Sequence, residues 1–155
     1  MEFNGQNDYI NLQNLSSLNI LGPYTISLWV KPRSFSNYQN AIFKGDITFG
    51  QYGIVVDSTG LWVAQREHAT NVNGGTMRLN EYFHLVVSAD SDTIRTYQNG
   101  VFQSSDSRVQ NERGSVTIGA DVVNGRYFNG LIDDVRIYNR TLSPDEIRRL
   151  YNMGR

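Results

Sequence analysis

Cysteine is absent from the 155 residues of this chain, and lysine occurs only twice. Without cysteine, disulfide bonds, zinc fingers and thiol chemistry are excluded, although this absence does not fix the cellular compartment. No apolar run approaches the ~20 residues of a membrane helix, so we expect no membrane insertion. The 14 basic and 15 acidic residues give a formal net charge of −1. A nucleic-acid-binding protein usually has a basic surplus, so we expect no nucleic-acid partner.

We also expect no signal peptide at the start of this sequence. Residues Met1 to Phe3 have neither a charged n-region nor an apolar h-region before patterned sequence begins. Two interpretations remain open: a cytoplasmic protein, or a domain of a longer protein that was given a start methionine.

Motifs of common enzymes are absent as well. The sequence contains no His-Glu-x-x-His, no Gly-x-Ser-x-Gly and no glycine-rich phosphate loop. The two histidines are His68 and His84. We expect His84 to be a strand residue with a structural hydrogen bond.

What the chain does have is typical of β-structure. Hydrophobic residues make up 39%, aromatic residues make up 12%, and asparagine occurs sixteen times. Strand and turn formers therefore outnumber good helix formers. The length fits one domain, residues 1–155. Runs with strand character are 9–12, 24–31, 41–44, 52–57, 61–66, 82–89, 93–98, 101–104, 116–118 and 127–138.

Local signals refine this pattern. Asn99-Gly100 and Ser58-Thr59-Gly60 predict hairpin turns. Segments 67–76 and 104–114 are polar and predict surface loops. Ser143-Pro144-Asp145-Glu146 predicts a capping box at the start of one short C-terminal helix. About ten strands and one helix favour an all-β sandwich, with a barrel as the alternative.

Five segments carry a family resemblance. They are Phe3–Ile10, Tyr24–Pro32, Phe83–Val87, Tyr97–Gly100 and, most specifically, Phe128–Ser143. In this order they resemble laminin-G-like domains of the concanavalin A-like lectin/glucanase superfamily. One departure is Tyr82, where members of the family often have tryptophan.

The resemblance implies a jelly-roll β-sandwich of two curved antiparallel sheets, with the first and last strands close together. Such domains usually sit as modules in larger extracellular or cell-surface proteins. They bind glycans or proteins, and many hold a structural calcium ion.

Calcium takes six to eight oxygen ligands, and the turn from Asn4 to Asp8 offers carboxylate, amide and carbonyl oxygens. The resemblance implies an acidic site on Asp8 and on the Asp133-Asp134 strand. We therefore expect Asp8 and Asp133 to share one ion with carbonyl oxygens of the turn from Asn4 to Gln6. The alternative is that Asp8 caps its turn and Asp133 accepts backbone hydrogen bonds.

Tryptophan residues are the candidate sugar contacts. Trp29 alternates with the apolar positions of its strand, and Trp62 alternates with Leu61 and Val63. This parity predicts that both indoles lie on an outer sheet face, where sugars stack on aromatic rings. The alternative is that the rings are core packing, as is common in sandwiches.

Catalysis is not expected. Glucanases of this superfamily carry Glu-x-Asp-x-Glu on one strand, and this chain lacks that motif. Asp133 and Asp134 are adjacent, so on a regular strand they face opposite ways.

The sequence therefore predicts a non-catalytic carbohydrate-binding or adhesion module of a larger extracellular protein. The alternative is a protein-interaction or structural spacer module. Two or more rings that line one groove favour a glycan, whereas a flat apolar patch favours a protein.

Overall fold

The computed structural model describes residues 1–36, 38–45, 50–65, 71–108 and 114–154. These residues form fourteen strands, a 3-10 turn at Ser16–Leu18 and one α-helix. The strands are β1 (Glu2–Asn4), β2 (Ile10–Asn11), β3 (Tyr24–Pro32), β4 (Gln39–Gly45), β5 (Gly50–Val56), β6 (Leu61–Gln65), β7 (Val72–Thr76), β8 (Phe83–Ala89), β9 (Thr93–Gln98), β10 (Val101–Ser107), β11 (Ser115–Ile118), β12 (Ala120–Asp121), β13 (Arg126–Tyr127) and β14 (Asn129–Tyr138). The helix α1 spans Pro144–Met153.

The strands form two sheets that pack as a jelly-roll sandwich, as predicted. One sheet has six strands in the order β1-β14-β3-β8-β9-β10. The other has eight: β12-β13-β4-β5-β6-β7 form a row, β11 also pairs with β4, and β2 pairs with β11. All strand pairs are antiparallel except the short contact of β13 with β4. The first and last strands are neighbours, because β1 pairs with β14.

The core lies between the two sheets, and β3 shows how the sequence builds it. Its residues Ile26, Leu28 and Val30 are fully buried. Alternation along a strand sends these three side chains to the same face, toward the opposite sheet. Each buried aliphatic side chain of this size contributes about 1.5–3 kcal/mol of transfer free energy.

Turns form where the sequence predicted them. Asn99 and Gly100 join β9 to β10 with φ angles of 53° and 76°. Positive φ at both positions is what a tight hairpin turn requires, and asparagine and glycine tolerate it best. Ser58-Thr59-Gly60 likewise joins β5 to β6, and Gly60 has a φ of 82°.

Helix α1 covers part of the outer face of the six-stranded sheet. Its capping box is formed: the Glu146 backbone N–H donates to Ser143 Oγ at 3.3 Å, and the Ser143 N–H donates to Glu146 Oε2 at 2.9 Å. A second apolar cluster joins the helix to the sheet and consists of Val86, Tyr97, Leu142 and Ile147. This outer face is therefore a partly buried surface rather than a fully solvated one.

Two loop predictions need correction. Part of segment 67–76 is strand β7, and β10 continues through Ser107. In β7 the side chain of Val72 is buried, and the following glycines make room for a large neighbour. Residues 67–70 and 109–113 of the two predicted loops lie outside the described residues.

Within the part of the chain that the structure describes, no helix is both long enough and apolar enough to cross a membrane.

Candidate functional site

Trp29 lies on the outer face of the six-stranded sheet, as its strand parity predicts. In register it stands between Asp133 of β14 and His84 of β8. Its ring is only partly buried, but it is not bare. Tyr151 of α1 stacks on it at 5.7 Å between centroids, and the His84 ring lies at 5.2 Å. Trp29 is thus an outward ring that the terminal helix covers in part.

Asp133 and Asp134 lie beside Trp29 on the same side of the sheet. A bulge causes this, because three steps from Asp133 to Arg136 on β14 match two steps on β3. Asp134 takes a φ of 47°, a left-handed conformation that is costly for a non-glycine residue. The expectation that the two carboxylates face opposite ways is therefore wrong, since both line one groove.

Only one of these carboxylates has a basic partner. Arg136 Nε donates to Asp134 Oδ1 at 2.8 Å, and this hydrogen bond raises the pKa of the guanidinium. Asp133 Oδ1 instead accepts from the Asp134 backbone N–H at 2.9 Å. Within the described residues, Asp133 forms no ion pair with a basic side chain.

Rings and carboxylates together line a groove of about 580 Å³. We call it the aromatic groove; its lining residues are Trp29, Tyr82, Asp133, Asp134, Tyr151 and Gly154. Tyr82 is its most accessible ring, with 54% of the residue exposed. Lys31 Nζ lies 5.1 Å from the centre of this ring, a cation–π contact at the edge of the groove.

The end of α1 closes one wall of the groove against Trp29. A Cβ atom on Gly154 would lie 2.4 Å from Trp29 Nε1, so only glycine fits without a shift. The Nε1 atom is buried and has no hydrogen-bond partner among the described residues. The contact between Trp29 and the helix therefore depends on ring packing rather than on a hydrogen bond.

His84 supports the floor of this region. Its Nε2 and Ser27 Oγ are 2.8 Å apart, so the predicted structural hydrogen bond is confirmed. Burial lowers the pKa of His84 to about 4, outweighing the Asp134 carboxylate, which acts in the opposite direction. The imidazole is therefore neutral at pH 7.

Trp62, the second predicted sugar contact, lies in the core. Its side chain is 0% exposed, so the predicted outer-face position is wrong. On β6 it is Trp62 and Ala64 that point inward, whereas Leu61 and Val63 point outward and are partly exposed. All four side chains are apolar, so strand parity does not tell which face is buried.

Contacts on both sides explain the inward position of Trp62. Its indole N–H donates to Gln98 Oε1 at 2.8 Å. A Cβ atom on Gly74 would lie 2.1 Å from the indole, so the glycine of β7 provides the space for the ring. The glycine-rich segment that suggested a loop is thus the packing surface for Trp62.

The residues expected to share calcium do not come together. Asn4 pairs with Asn129, so Asp133 lies four residues farther along β14, roughly 13 Å away at ~3.3 Å per residue. Asp8 remains near Asn4, because Asp8 Oδ2 accepts from the Asn4 N–H at 3.1 Å.

The side-chain oxygen of Asn4 is already engaged within this turn. Asn4 Oδ1 accepts from the backbone N–H groups of Gln6, Asn7 and Asp8 at 2.8 to 3.3 Å. No group of three or more His, Cys, Asp or Glu that suits a metal occurs among the described residues. Asp8 and Asp133 therefore do not fit one shared ion; calcium binding elsewhere stays a prediction from the resemblance.

A second cleft of about 310 Å³ lies on the eight-stranded sheet. Among its lining residues, Tyr9, Val122 and Val123 are 43%, 38% and 55% exposed. The carboxylate of Asp121 at its edge is buried and accepts hydrogen bonds from Asn124. Two rings line this cleft, Tyr9 and the buried Phe43, whereas three rings line the aromatic groove.

From the sequence, Trp29, Asp133 and Asp134 are candidate site residues, but their meeting with Tyr82 and Tyr151 in one groove is not predicted. Tyr82 enters only as a departure from the family pattern, which matters if its ring contacts a ligand. Neither tyrosine has a local signal that predicts a shared groove, because β3, β8 and α1 meet only in the fold. The exposed polar flanks of Tyr82, Glu81 before it and the turn at Asn80, were the available hint of exposure.

Comparison with known proteins agrees with this sandwich. A family model of the concanavalin A-like lectin/glucanases superfamily, in its laminin-G form, matches residues 4–148. The chain belongs to this superfamily, which confirms the resemblance in its sequence.

One curated relative is an adhesion receptor. The chain is 22% identical over 150 residues to the adhesion G-protein coupled receptor V1 of Danio rerio. The match covers 86% of this chain but 2% of the receptor. The chain therefore spans a small part of that relative.

Solved structures share the fold. A sialidase CBM40 of Ruminococcus gnavus, bound to α2,3-sialyllactose, has a TM-score of 0.79 at 16% identity and covers 97% of this chain and 95% of that one. A second structure is domain 4 of AbnA, an extracellular GH43 arabinanase of Geobacillus stearothermophilus, in complex with arabinotriose. It has a TM-score of 0.74 at 25% identity, and the match covers 97% of this chain and 75% of that one. The sialidase of Trypanosoma rangeli has a TM-score of 0.77 at 16% identity, but this chain matches only 26% of it.

Proposed function

We propose that this chain is a non-catalytic carbohydrate-binding module that works outside the cell as part of a larger protein. The observation that carries the proposal is the aromatic groove, where three rings meet two carboxylates. Sugar rings stack their apolar faces on aromatic side chains, and their hydroxyl groups donate hydrogen bonds to carboxylates. Three rings in one groove meet the criterion that favours a glycan over a protein.

Similar proteins support the same class of ligand. The Ruminococcus gnavus module is bound to sialyllactose and the Geobacillus stearothermophilus domain to arabinotriose. The adhesion receptor relative supports an extracellular adhesion role. These ligands and roles are those of the relatives, and here they are part of the proposal.

The arrangement of carboxylates supports binding without catalysis. Glycosidases place two carboxyl groups on either side of the scissile bond, about 5–10 Å apart. In the aromatic groove the acidic side chains are Asp133 and Asp134, which are neighbours in one bulge. Because they approach a ligand from the same side, they do not flank it as an acid and a nucleophile do.

A glycan array followed by calorimetry tests the proposal, with Tyr82→Ala as the diagnostic variant. Tyr38→Ala is the matched control: Tyr38 is 52% exposed against 54% for Tyr82, and each ring carries a cation–π contact. Loss of one stacking ring should weaken binding about tenfold or more, whereas Tyr38→Ala should leave it unchanged.

Failure to bind any glycan, or equal loss in both variants, overturns the proposal. Release of reducing sugar from a bound oligosaccharide would contradict the non-catalytic part alone.

A protein-interaction module is the second candidate, and the second cleft favours it. Its exposed Tyr9, Val122 and Val123 form an apolar patch on the opposite sheet. If this candidate is correct, Val123→Asp abolishes partner binding while the glycan array stays empty.

A further inference from the structure

We propose that the aromatic groove accepts neutral sugars and rejects carboxylated ones, and that Asp133 determines this specificity. The inference rests on the proposed function, because it names the class of glycan for the same groove. It starts from the bulge in β14, which turns two adjacent carboxylates toward the rings. A regular strand would present one of them there.

The two carboxylates differ in what neutralises them. Asp134 forms an ion pair with Arg136, two residues farther along β14. Asp133 forms no ion pair within the described part of the chain, and its Oδ1 accepts a hydrogen bond from the Asp134 backbone N–H. Asp133 therefore contributes the uncompensated negative charge of the groove.

A neutral sugar and a carboxylated sugar meet this charge differently. Hydroxyl groups of a neutral sugar donate hydrogen bonds to a carboxylate, and such charge-assisted bonds are stronger than neutral ones. The carboxylate of a sialic or uronic acid has no proton to donate at pH 7 and repels Asp133. At contact distance in a water-accessible groove, this repulsion weakens binding about fivefold.

Lys31 is a positive group next to one of the rings. Its Nζ lies 5.1 Å from the centre of the Tyr82 ring, and Lys31 is not among the lining residues of the groove. Its charge would attract an acidic sugar. Lys31→Gln removes a positive charge near the groove, whereas Asp133→Asn removes a negative one.

The fold neighbour bound to sialyllactose does not oppose this inference. It is 16% identical to this chain, so the likeness concerns the fold. The side chains of the aromatic groove decide the ligand here, and they include two carboxylates.

Paired glycans test the inference. An array carries neutral oligosaccharides, such as lactose and arabinotriose, beside sialylated or uronic acid counterparts, such as α2,3-sialyllactose. The proteins are the unmodified chain, Asp133→Asn, Lys31→Gln and the control Asp92→Asn. Asp92 is an exposed carboxylate in the turn after β8, so its substitution gives the same change in net charge away from the groove.

We expect the unmodified chain to prefer the neutral member of a pair about fivefold or more. Asp133→Asn should reduce that preference to near unity, Lys31→Gln should enlarge it, and Asp92→Asn should leave it unchanged. Added salt should also narrow the preference, because ions screen exposed charges.

Three results overturn the inference, and they are distinguishable. Equal or tighter binding of the acidic members contradicts the specificity while the proposed function stands. A neutral preference that Asp133→Asn does not change contradicts the role of Asp133. Binding to no glycan overturns the proposed function, and the inference falls with it.

Discussion

Trp29 and Trp62 occupy two regions that look alike in sequence and differ in the fold. Each stands on a strand with apolar neighbours, yet Trp62 is buried between the sheets while Trp29 faces outward beneath the end of α1. On β3 the polar residues Thr25, Ser27 and Lys31 share the face of Trp29, so alternation alone assigns that face to the outside. On β6 both faces are apolar, and β7 provides the glycine that makes room for Trp62. Parity divides a strand into two faces, and the partner strand decides between them only where both are apolar.

The largest expected effect is that of Trp62→Ala. Removing a fully buried indole leaves a cavity and should lower the free energy of unfolding by about 3–5 kcal/mol. Trp29→Ala, at a partly covered position, should cost only about 1–2 kcal/mol. Urea denaturation followed by circular dichroism measures both; equal costs would break the comparison.

Acid should lower the free energy of unfolding through His84, whose ring contacts Trp29. The folded pKa is about 4 and the ordinary value is 6.5, so between these pH values the unfolded state binds the proton and the folded state does not. Stability is therefore full above pH 6.5 and falls as the pH drops toward 4, by roughly 3 kcal/mol in total. Denaturation at pH 7, 6 and 5 checks this.

His84→Gln is the control for the pH effect, because glutamine does not titrate. The carboxylates of Asp90 and Glu146, whose pKa values are about 2, lose their stabilising contacts at lower pH than this window. If the free energy of unfolding of His84→Gln still falls between pH 7 and 5 as that of the unmodified chain does, His84 is not the source of the pH dependence.

Gly74→Ala sharpens the comparison with a smaller change. The added Cβ would lie 2.1 Å from the Trp62 ring, and such overpacking should cost about 1–3 kcal/mol. Gly22→Ala is the matched control, since nothing lies within 4 Å of a Cβ there. If Gly74→Ala and Gly22→Ala unfold at the same urea concentration, the result contradicts the tight packing of Trp62 against Gly74 of β7.

Local chemistry explains which features the sequence predicts well. The Asn99-Gly100 turn, the capping box at Ser143 and the inward face of β3 depend on residues within a few positions of each other. These features formed as predicted because their signals do not depend on the partner strand.

Long-range pairing explains what the sequence does not predict. The bulge at Asp133-Asp134 is a shift in the register of β14 on β3, two strands whose pairing is not local in sequence. The contact of Tyr151 with Trp29 joins residues 122 positions apart and depends on where α1 docks. The separation of Asp8 from Asp133 likewise follows from the register of β1 on β14.

The most direct test of the account uses single-tryptophan variants, Trp62→Phe and Trp29→Phe, titrated with a neutral glycan identified on the array. The variant that retains Trp29 should change its fluorescence as the glycan fills the aromatic groove. The variant that retains Trp62 should show no change over the same titration, because its indole is enclosed in the core. A response from Trp62 with none from Trp29 would contradict the assignment of the groove.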